Sequence, residues 1–380
     1  MLKSENSQSL LGSRALDFWC IGGASILVWA LCKVLAPLQS EYWAIGRHFG
    51  NLSAFAATAV LLINYPHFIV SYKLSYGQGF AFIRRHWWQL IVVPIILFAL
   101  MFTSWIFYRH PNMELGLLKQ YPWSSGPLFG EKVLSYLVMT MYFTVGWHYS
   151  KQMFGTMMVF AKYDKYQISG SQRLLCKSAL FGVWFVNYAT FSAMGAAHQY
   201  NGINYVDIKS PEWLAPLAWV FYITSTVSFA LFVVVKNYRE TKNLPSASFL
   251  LPIVVFSIWW IPTFIQNDFY WQLVPFFHSL QYLCFVRRSE VANWDSQQMN
   301  SRPDYYIRFA CYALFILVIG WLTFEMIPSL MDHNRSAARV EGIAFFYVCL
   351  NVFINIHHYF IDNVLWRFRD SQVAQRLFVS

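Results

Sequence analysis

The sequence predicts an all-α fold: a polytopic helical membrane protein with about ten transmembrane helices and both termini in the cytoplasm. Of its 380 residues, 57% are hydrophobic and only 12% are charged, whereas a soluble domain carries about 25% charged residues. Several uncharged runs reach about 20 residues, the length at which a helix crosses a bilayer. The alternating segments typical of a transmembrane β-barrel are absent. These features exclude a soluble globular protein.

The apolar runs define the transmembrane helices in chain order. A helix crosses about 30 Å of hydrocarbon when its apolar run is about 20 residues long. The runs lie near residues 17–38, 51–73, 87–108, 132–161, 172–196, 214–236, 246–264, 267–286, 305–327 and 342–366. Only a short polar break at 265–268 separates the seventh from the eighth. All ten runs belong to one transmembrane domain, residues 1–380.

The connections between the runs are predicted to be loops. The segment 109–130 contains Pro111, Pro122, Gly126 and Pro127, and with the segment 197–213 it is expected to be external. Residues 74–86 form a short interfacial turn, and Trp87 and Trp88 anchor the helix that follows.

Charge orients the chain. With the N-terminus inside, the cytoplasmic segments hold 19 Lys and Arg residues and the external segments hold 8. This asymmetry is the positive-inside pattern of an even number of helices. The net charge of +10 is therefore explained by the membrane topology and by contact with membrane lipids. It does not indicate nucleic-acid binding, since the sequence contains no basic stripe or block.

Five histidines lie within the predicted helices, namely His67, His148, His278, His357 and His358. They belong to helices two, four, eight and ten, which all run inward. Each lies about 6 to 14 residues before the next cytoplasmic cation, so all of them are expected about 9 to 21 Å from those cations. A common depth permits one shared site, and ionisable groups within a membrane usually mark functional positions. The alternative for each histidine is a neutral hydrogen bond between helices.

A polar side chain lies about one helical turn from each of these histidines. The four are Asn64, Gln152, Gln281 and Asp362. Metal-bound histidines generally donate the second ring N–H to such a neighbour. A polar stripe between packed helices is the alternative interpretation.

The donor types indicate which metal is favoured. Asp362 is the only carboxylate predicted near the histidines, whereas a carboxylate-bridged di-iron site needs several Glu residues. A site dominated by imidazoles suits Fe, Cu or Zn, and copper(I) is disfavoured because no thiolate or thioether lies at the same depth. Non-haem Fe(II) is the expected cofactor. Haem bound by two histidines is the alternative.

Four motifs resemble, in order and internal spacing, those of the bacterial membrane Brp/Blh-like β-carotene 15,15′-dioxygenase family. They are Tyr-Pro-His at 65–67, Trp-His-Tyr at 147–149, Phe-His-Ser-Leu-Gln-Tyr at 277–282, and His-His-Tyr-Phe-Ile-Asp at 357–362. Together they cover a small part of the chain. The resemblance implies a bacterial inner-membrane protein.

The family resemblance also implies a ligand set. In that family four histidines hold a non-haem Fe(II), a role that the resemblance assigns to His67, His148 and His278. The fourth family histidine corresponds to Tyr282, so His357 or His358 is expected to replace it. Whether Tyr282 itself participates stays open.

The expected function is an O₂-dependent oxygenase in the membrane. Its substrate would be lipophilic, a carotenoid, isoprenoid or fatty chain, which could enter from the bilayer. Tyr149, Tyr282 and Tyr359 adjoin the histidines and are candidates for lining a dry cavity. A haem electron-transfer protein and a transporter with a histidine-lined site are the alternatives.

Overall fold

The computed structural model describes residues 9–35, 45–110, 112–113, 116, 126–194, 197–206, 209–264, 268–296, 302–333, 344–366 and 377–378. The polar N-terminal residues 1–8, most of the predicted loop 109–130 and residues 265–267 of the predicted break at 265–268 lie outside them.

The described chain is helical apart from one hairpin. The helices are α1 (Arg14–Leu35), α2 (Ile45–Tyr76), α3 (Phe80–Arg85), α4 (Trp88–Arg109), α5 (Gly126–Tyr163), α6 (Gly170–Met194), α7 (Leu214–Thr241), α8 (Ala247–Trp260), α9 (Asp268–Ser296), α10 (Arg302–Trp321, continued by Leu322–Met326 and Ile327–His333) and α11 (Phe345–Leu365). The strands are β1 (Ala197–Tyr200) and β2 (Ile203–Val206).

Five of the described helices are long and apolar enough to cross a membrane. These are α1, α4, α6, α7 and α10. Helix α8 is apolar but shorter, at 14 residues. Every apolar run predicted from the sequence overlaps one of the described helices. The prediction of a helical membrane protein is therefore confirmed at this level.

Several helices extend beyond their predicted ends. Helix α5 begins at Gly126, inside the predicted loop, because a proline such as Pro127 is tolerated in the first turn of a helix. Helix α9 continues to Ser296, so Glu290 lies within it and pairs with Lys73 at 2.9 Å. Glu325 lies within α10 and accepts a 2.5 Å hydrogen bond from Tyr65. Both carboxylates therefore lie within helices and pair with residues of α2.

The predicted loop 197–213 contains a β-hairpin. Strands β1 and β2 pair in antiparallel register around Asn201 and Gly202. Both turn residues have positive φ, 47° and 89°, which Asn-Gly adopts readily in a two-residue hairpin turn. Ser135 of α5 donates to the Asn204 carbonyl at 2.7 Å, which ties the hairpin to the bundle.

Helices α2, α5, α9 and α11 surround the centre of the bundle. Helix α2 packs against α9 and α11, and α11 packs against α5. Pro66 lies directly before His67, and Pro275 lies three residues before His278. A proline within a helix removes one backbone hydrogen bond and permits a kink. In α2 and α9, a proline thus permits a kink in the helix close to its histidine.

Two glycines allow close packing around this centre. A Cβ added at Gly320 would lie 2.8 Å from Cβ of Tyr65, so α10 packs directly against α2 beside Pro66. Gly22 interrupts α1 with φ 157°, and an added Cβ would lie 2.6 Å from Cγ2 of Val255. Helix α1 therefore bends where it meets α8.

Candidate metal centre

Four histidines from four helices meet in the interior of the bundle. They are His67 of α2, His148 of α5, His278 of α9 and His358 of α11. Their side chains are buried, with exposures of 1%, 3%, 2% and 0%. One ring nitrogen of each lies within 4.8 Å of one ring nitrogen of every other.

The distances within this four-histidine cluster fit a single metal ion. Nε2 of His148 lies 3.1 Å from Nε2 of His278. Imidazole nitrogens bound to one ion are about 3 to 4.4 Å apart, because metal–nitrogen bonds are roughly 2.0–2.2 Å long. The observed separations, up to 4.8 Å, therefore require only small side-chain movements to surround an ion.

A serine fixes the ring of His67. The Ser279 hydroxyl donates to Oδ1 of Asn64 at 2.7 Å, so its oxygen can accept the Nδ1–H of His67 at 3.2 Å. With the proton on Nδ1, Nε2 keeps a lone pair. That Nε2 is buried and has no hydrogen-bond partner among the described residues.

The ring of His358 is fixed in the same way. Ser71 donates to the Phe68 carbonyl at 2.7 Å, and its oxygen lies 2.8 Å from Nδ1 of His358. Nε2 of His358 is likewise buried and makes no well-directed hydrogen bond among the described residues, while Oδ2 of Asp362 lies 3.3 Å from it. Two lone pairs thus face one centre, which favours a cation there.

Sequence reasoning assigned no role to either serine. Ser71 lies one helical turn after His67, and Ser279 follows His278 directly. Each bonds the histidine of another helix, so spacing along one helix gave no signal for the pairing.

The carboxylate of Asp362 lies between two histidines of the cluster and the hydroxyl of Tyr282. Its Oδ2 lies 3.3 Å from Nε2 of His358 and 3.7 Å from Nδ1 of His148. Its Oδ1 accepts a 3.0 Å hydrogen bond from the Tyr282 hydroxyl. The carboxylate therefore adjoins two of the four imidazoles, and Tyr282 is directed at this carboxylate.

His357 lies outside the cluster. Its Nδ1 is 2.8 Å from the Tyr72 hydroxyl, and its Nε2 is 3.2 Å from the Gln89 carbonyl. Adjacent residues of an α-helix point about 100° apart, so His357 and His358 cannot face the same centre. Gln89 lies in a π-helical turn of α4, Trp88–Val92. The geometry thus selects His358 from the pair.

Three of the four predicted polar neighbours are connected differently from the expectation, whereas Asp362 lies beside His358 as predicted. Asn64 reaches His67 through Ser279. Gln152 donates to Oε1 of Gln281 at 2.8 Å and to the His278 backbone carbonyl at 3.0 Å. Gln281 donates to the Ile21 carbonyl at 2.8 Å. The two glutamines join α1, α5 and α9, and they bond one another, the backbone and, from Gln281, Sδ of Met153 at 3.6 Å.

Tyrosines pack against the imidazoles. Tyr149 stacks on His278 with ring centroids 3.8 Å apart and an interplanar angle of 16°. Tyr359 stacks on His148 at 4.7 Å, and the Tyr282 ring lies edge-on to His67 at 4.7 Å. Tyr359 also donates to Oδ1 of Asn355 at 3.1 Å. These rings restrict the orientations that the imidazoles can adopt.

A cavity of about 260 Å³ adjoins the cluster. Part of the cavity wall is formed by one histidine of the cluster and by residues that contact the cluster. These are His148, Tyr282, Tyr359 and Asp362. The cavity is further lined by Lys151, Gln152, Gly155, Thr156, Phe285, Asn363 and Trp366. It thus gives the four-histidine cluster an adjoining space in which a small molecule or part of a larger one fits. Tyr149, also predicted to line a cavity, belongs to the stack on His278.

Comparisons with protein-family models, with curated proteins and with solved structures find no match to this chain.

Proposed function

We propose that this protein is a membrane-embedded non-haem iron oxygenase that acts with O₂ on a lipophilic substrate. The observation that carries the proposal is the convergence of four buried imidazoles from four helices. Burying four polar rings together without a common partner costs free energy. A bound cation offsets that cost. It would also bind the lone pairs on Nε2 of His67 and Nε2 of His358, the two rings that Ser279 and Ser71 orient.

This donor set suits iron and disfavours copper(I). The cluster consists of imidazoles, with one carboxylate, Asp362, beside it. Imidazole and carboxylate donors are those of non-haem Fe(II) oxygenases, whereas copper(I) prefers sulfur ligands. Bound Fe(II) would supply the binding and activation of O₂.

The chain's own residues provide the surroundings that such chemistry requires. The four histidines are nearly inaccessible to solvent, so water is excluded from reactive species. The stacked rings of Tyr149 and Tyr359 hold two of the imidazoles in place. The adjoining cavity offers a place for a substrate next to His148.

The distances between the imidazole nitrogens of the cluster also disfavour haem. A porphyrin bound between two axial histidines needs a flat space around the iron. Here the other two imidazole nitrogens lie within 4.8 Å of those same atoms, in the space that the porphyrin ring would fill. The geometry therefore supports iron bound directly by the protein.

The finer membrane assignments are part of the proposal. We take all ten predicted runs as membrane-spanning, both termini as cytoplasmic and the membrane as the bacterial inner membrane. The positive-inside asymmetry supports the orientation. The Brp/Blh-like motifs support the membrane type and the reaction class, and His358 takes the place of the family histidine that corresponds to Tyr282.

Metal analysis of the protein in detergent tests the proposal. We expect about one iron per chain after anaerobic incubation with Fe(II), as four imidazoles around one ion imply, no haem absorption band, and O₂ consumption with a carotenoid or fatty substrate. His148→Ala should lose the iron, and His357→Ala, which removes an imidazole outside the cluster, is the matched control. A haem spectrum in the wild type would overturn the proposal, as would full iron content in His148→Ala.

A further inference from the structure

A second cavity, here called the interfacial cavity, lies where α5 connects to α6 and where α7 ends. Its volume is about 790 Å³, within the range of roughly 300–1,000 Å³ of sites that enclose small ligands. Its wall is formed by the connection 165–169, the first turns of α6, the last turns of α7 and Asn243. Since α6 and α7 are both long and apolar enough to cross a membrane, their ends place this cavity at the level of a membrane surface.

The wall of the interfacial cavity changes from polar to apolar along these helices. Lys165, Ser171 and Lys236 border its outer part. Leu175 lies four residues deeper in α6 than Ser171, and Phe232 lies four residues deeper in α7 than Lys236, about 6 Å in each case. The cavity thus offers two ammonium groups at the membrane surface and apolar side chains toward the hydrocarbon.

The charged groups that line the cavity favour an anion. Glu240 is the one acidic residue of the wall among the described residues, and its carboxylate lies 3.8 Å from Nζ of Lys236. Both side chains of this pair are more than half exposed, and such ion pairs contribute little, so an anionic ligand can compete for the ammonium group. The Lys165 side chain is exposed and makes no hydrogen bond or ion pair within the described ranges.

The surrounding chain segments add positive charge. Residues 162–177 contain four Lys and Arg residues and one acidic residue, and residues 236–242 contain three and one. The acidic residue of the first segment, Asp164, pairs with Arg14 at 2.7 Å and accepts a hydrogen bond from Ser246. Cations therefore outnumber acidic groups around the cavity, and their field attracts an anion.

Hydrogen bonds fix the floor of the cavity. Gln172 donates to the Phe232 carbonyl at 2.8 Å and to Oδ1 of Asn237 at 2.6 Å. The buried Asn237 donates to the Gln167 carbonyl at 3.1 Å. Phe232 belongs to a π-helical turn of α7, Ala230–Val235, and such turns occur frequently at functional sites. The connection before α6 is therefore held against α7 in a shape that does not depend on a ligand.

We infer that the interfacial cavity binds an anionic phospholipid. Its phosphate meets Lys165 and Lys236, and the start of an acyl chain passes Phe232 and Leu175. Basic pockets between transmembrane helices bind anionic lipid head groups, and each ammonium group donates charge-assisted hydrogen bonds to phosphate oxygens. A free phosphate ester would leave the apolar part of the wall uncovered. This site lies apart from the four-histidine cluster and does not depend on iron.

Native mass spectrometry of the full-length protein, released from detergent micelles, counts bound lipids and tests the inference. The probes are phosphatidylglycerol and phosphatidylcholine with identical acyl chains. We expect the first phosphatidylglycerol to bind at least about tenfold more tightly than the first phosphatidylcholine, because only the former has a net negative head group. The double substitution Lys165→Met and Lys236→Met should remove this preference.

The matched control is the double substitution Lys162→Met and Lys177→Met. These two lysines belong to the same basic segment and pack over the rings of Phe378 and Phe154, at 3.7 and 4.9 Å from the ring centroids. Neither lines the interfacial cavity, so the control removes the same charge and should retain the preference. An equal loss in both double variants would overturn the inference, because overall charge would then explain binding. Equal binding of the two lipids by the wild type would also overturn it, whether or not the variants fold.

Glycerol 1-phosphate distinguishes a lipid from a soluble phosphate ester. It carries the phosphate without acyl chains, so it cannot cover Phe232 and Leu175. We expect a large excess of it to leave phosphatidylglycerol bound to the wild type. Displacement of the lipid would overturn the lipid assignment and identify the cavity as a site for soluble phosphate esters.

Discussion

Nε2 of His148 and Nε2 of His278 face each other at 3.1 Å across the interface of α5 and α9. Two arrangements satisfy such a pair. Either one nitrogen carries a proton and donates it to the other, or both direct lone pairs at one cation. The first arrangement concerns this pair alone, whereas the second also accounts for Nε2 of His67, which is buried without a hydrogen-bond partner among the described residues. It accounts as well for Nε2 of His358, whose nearby polar group is the carboxylate of Asp362 at 3.3 Å.

The neighbouring histidines of α11 give the sharpest test of the ligand set. His358→Ala removes one of the four converging imidazoles, so we expect near-complete loss of bound iron. His357→Ala should retain the iron, because its ring contacts Tyr72 and the Gln89 carbonyl. It should lower the free energy of unfolding by about 1–3 kcal/mol, since those two groups lose their partner. Iron analysis and thermal unfolding of both variants measure these effects, and iron loss in His357→Ala instead would show that the two histidines exchange roles.

The serine that orients His358 can be tested against a serine on the same helix. Ser71→Ala removes the acceptor of the His358 Nδ1–H, and we expect iron affinity to fall about 10- to 100-fold, as for other residues that orient metal-bound histidines. Ser75→Ala is the control, because Ser75 is also buried on α2 but donates to the Tyr72 carbonyl. Competition with a chelator measures the affinity. Equal effects of the two substitutions would assign Ser71 to packing alone.

The sequence predicted the parts of this site that depend on position along a helix. A common depth of His67, His148 and His278 was predicted from their distance to cations expected on the cytoplasmic side, and in the structure these three histidines lie together in the four-histidine cluster. The choice between His357 and His358 depended on rotation about the α11 axis. Only the packed structure fixes that rotation, so the sequence left the choice open.

The remaining differences arise from contacts between distant residues. Ser71 and His358 are 287 residues apart, and Gln281 donates to a carbonyl of α1, 260 residues away. Such pairings depend on how the helices pack, which single-helix spacing does not encode. The Asn201-Gly202 hairpin is different, because Asn-Gly is a recognised turn signal. That signal was present in the predicted loop 197–213.

Tyr282 lies at the position where the family resemblance would place a histidine. Its hydroxyl donates to Asp362, so we expect Tyr282→Phe to retain iron with an affinity within about threefold of the wild type, since a hydrogen bond to a carboxylate outside the imidazole set has a smaller effect than a ligand. Asp362→Asn keeps the shape of its partner and serves as the comparison. Iron content and chelator competition give the answer. Loss of iron in Tyr282→Phe, with iron retained in Asp362→Asn, would make the phenol oxygen a ligand.

The orientation of the chain is the last prediction, and the depth of the metal centre depends on it. The segment between α5 and α6 should face the cytoplasm, because the predicted inner segments hold 19 cations and the outer ones 8. Gln167 is exposed in this segment, and Gln199 is exposed in the β-hairpin that should face outward. A cysteine at each site, introduced after replacing the exposed Cys311 by serine, can be labelled with a membrane-impermeant maleimide on sealed vesicles of known orientation. Gln167→Cys should react only from the cytoplasmic side and Gln199→Cys only from the opposite side.

The reverse labelling pattern would contradict this orientation. Since α5 runs from the hairpin side to the Gln167 side, it would place the four-histidine cluster in the outer half of the bilayer, and the iron would then have to be loaded from outside the cell.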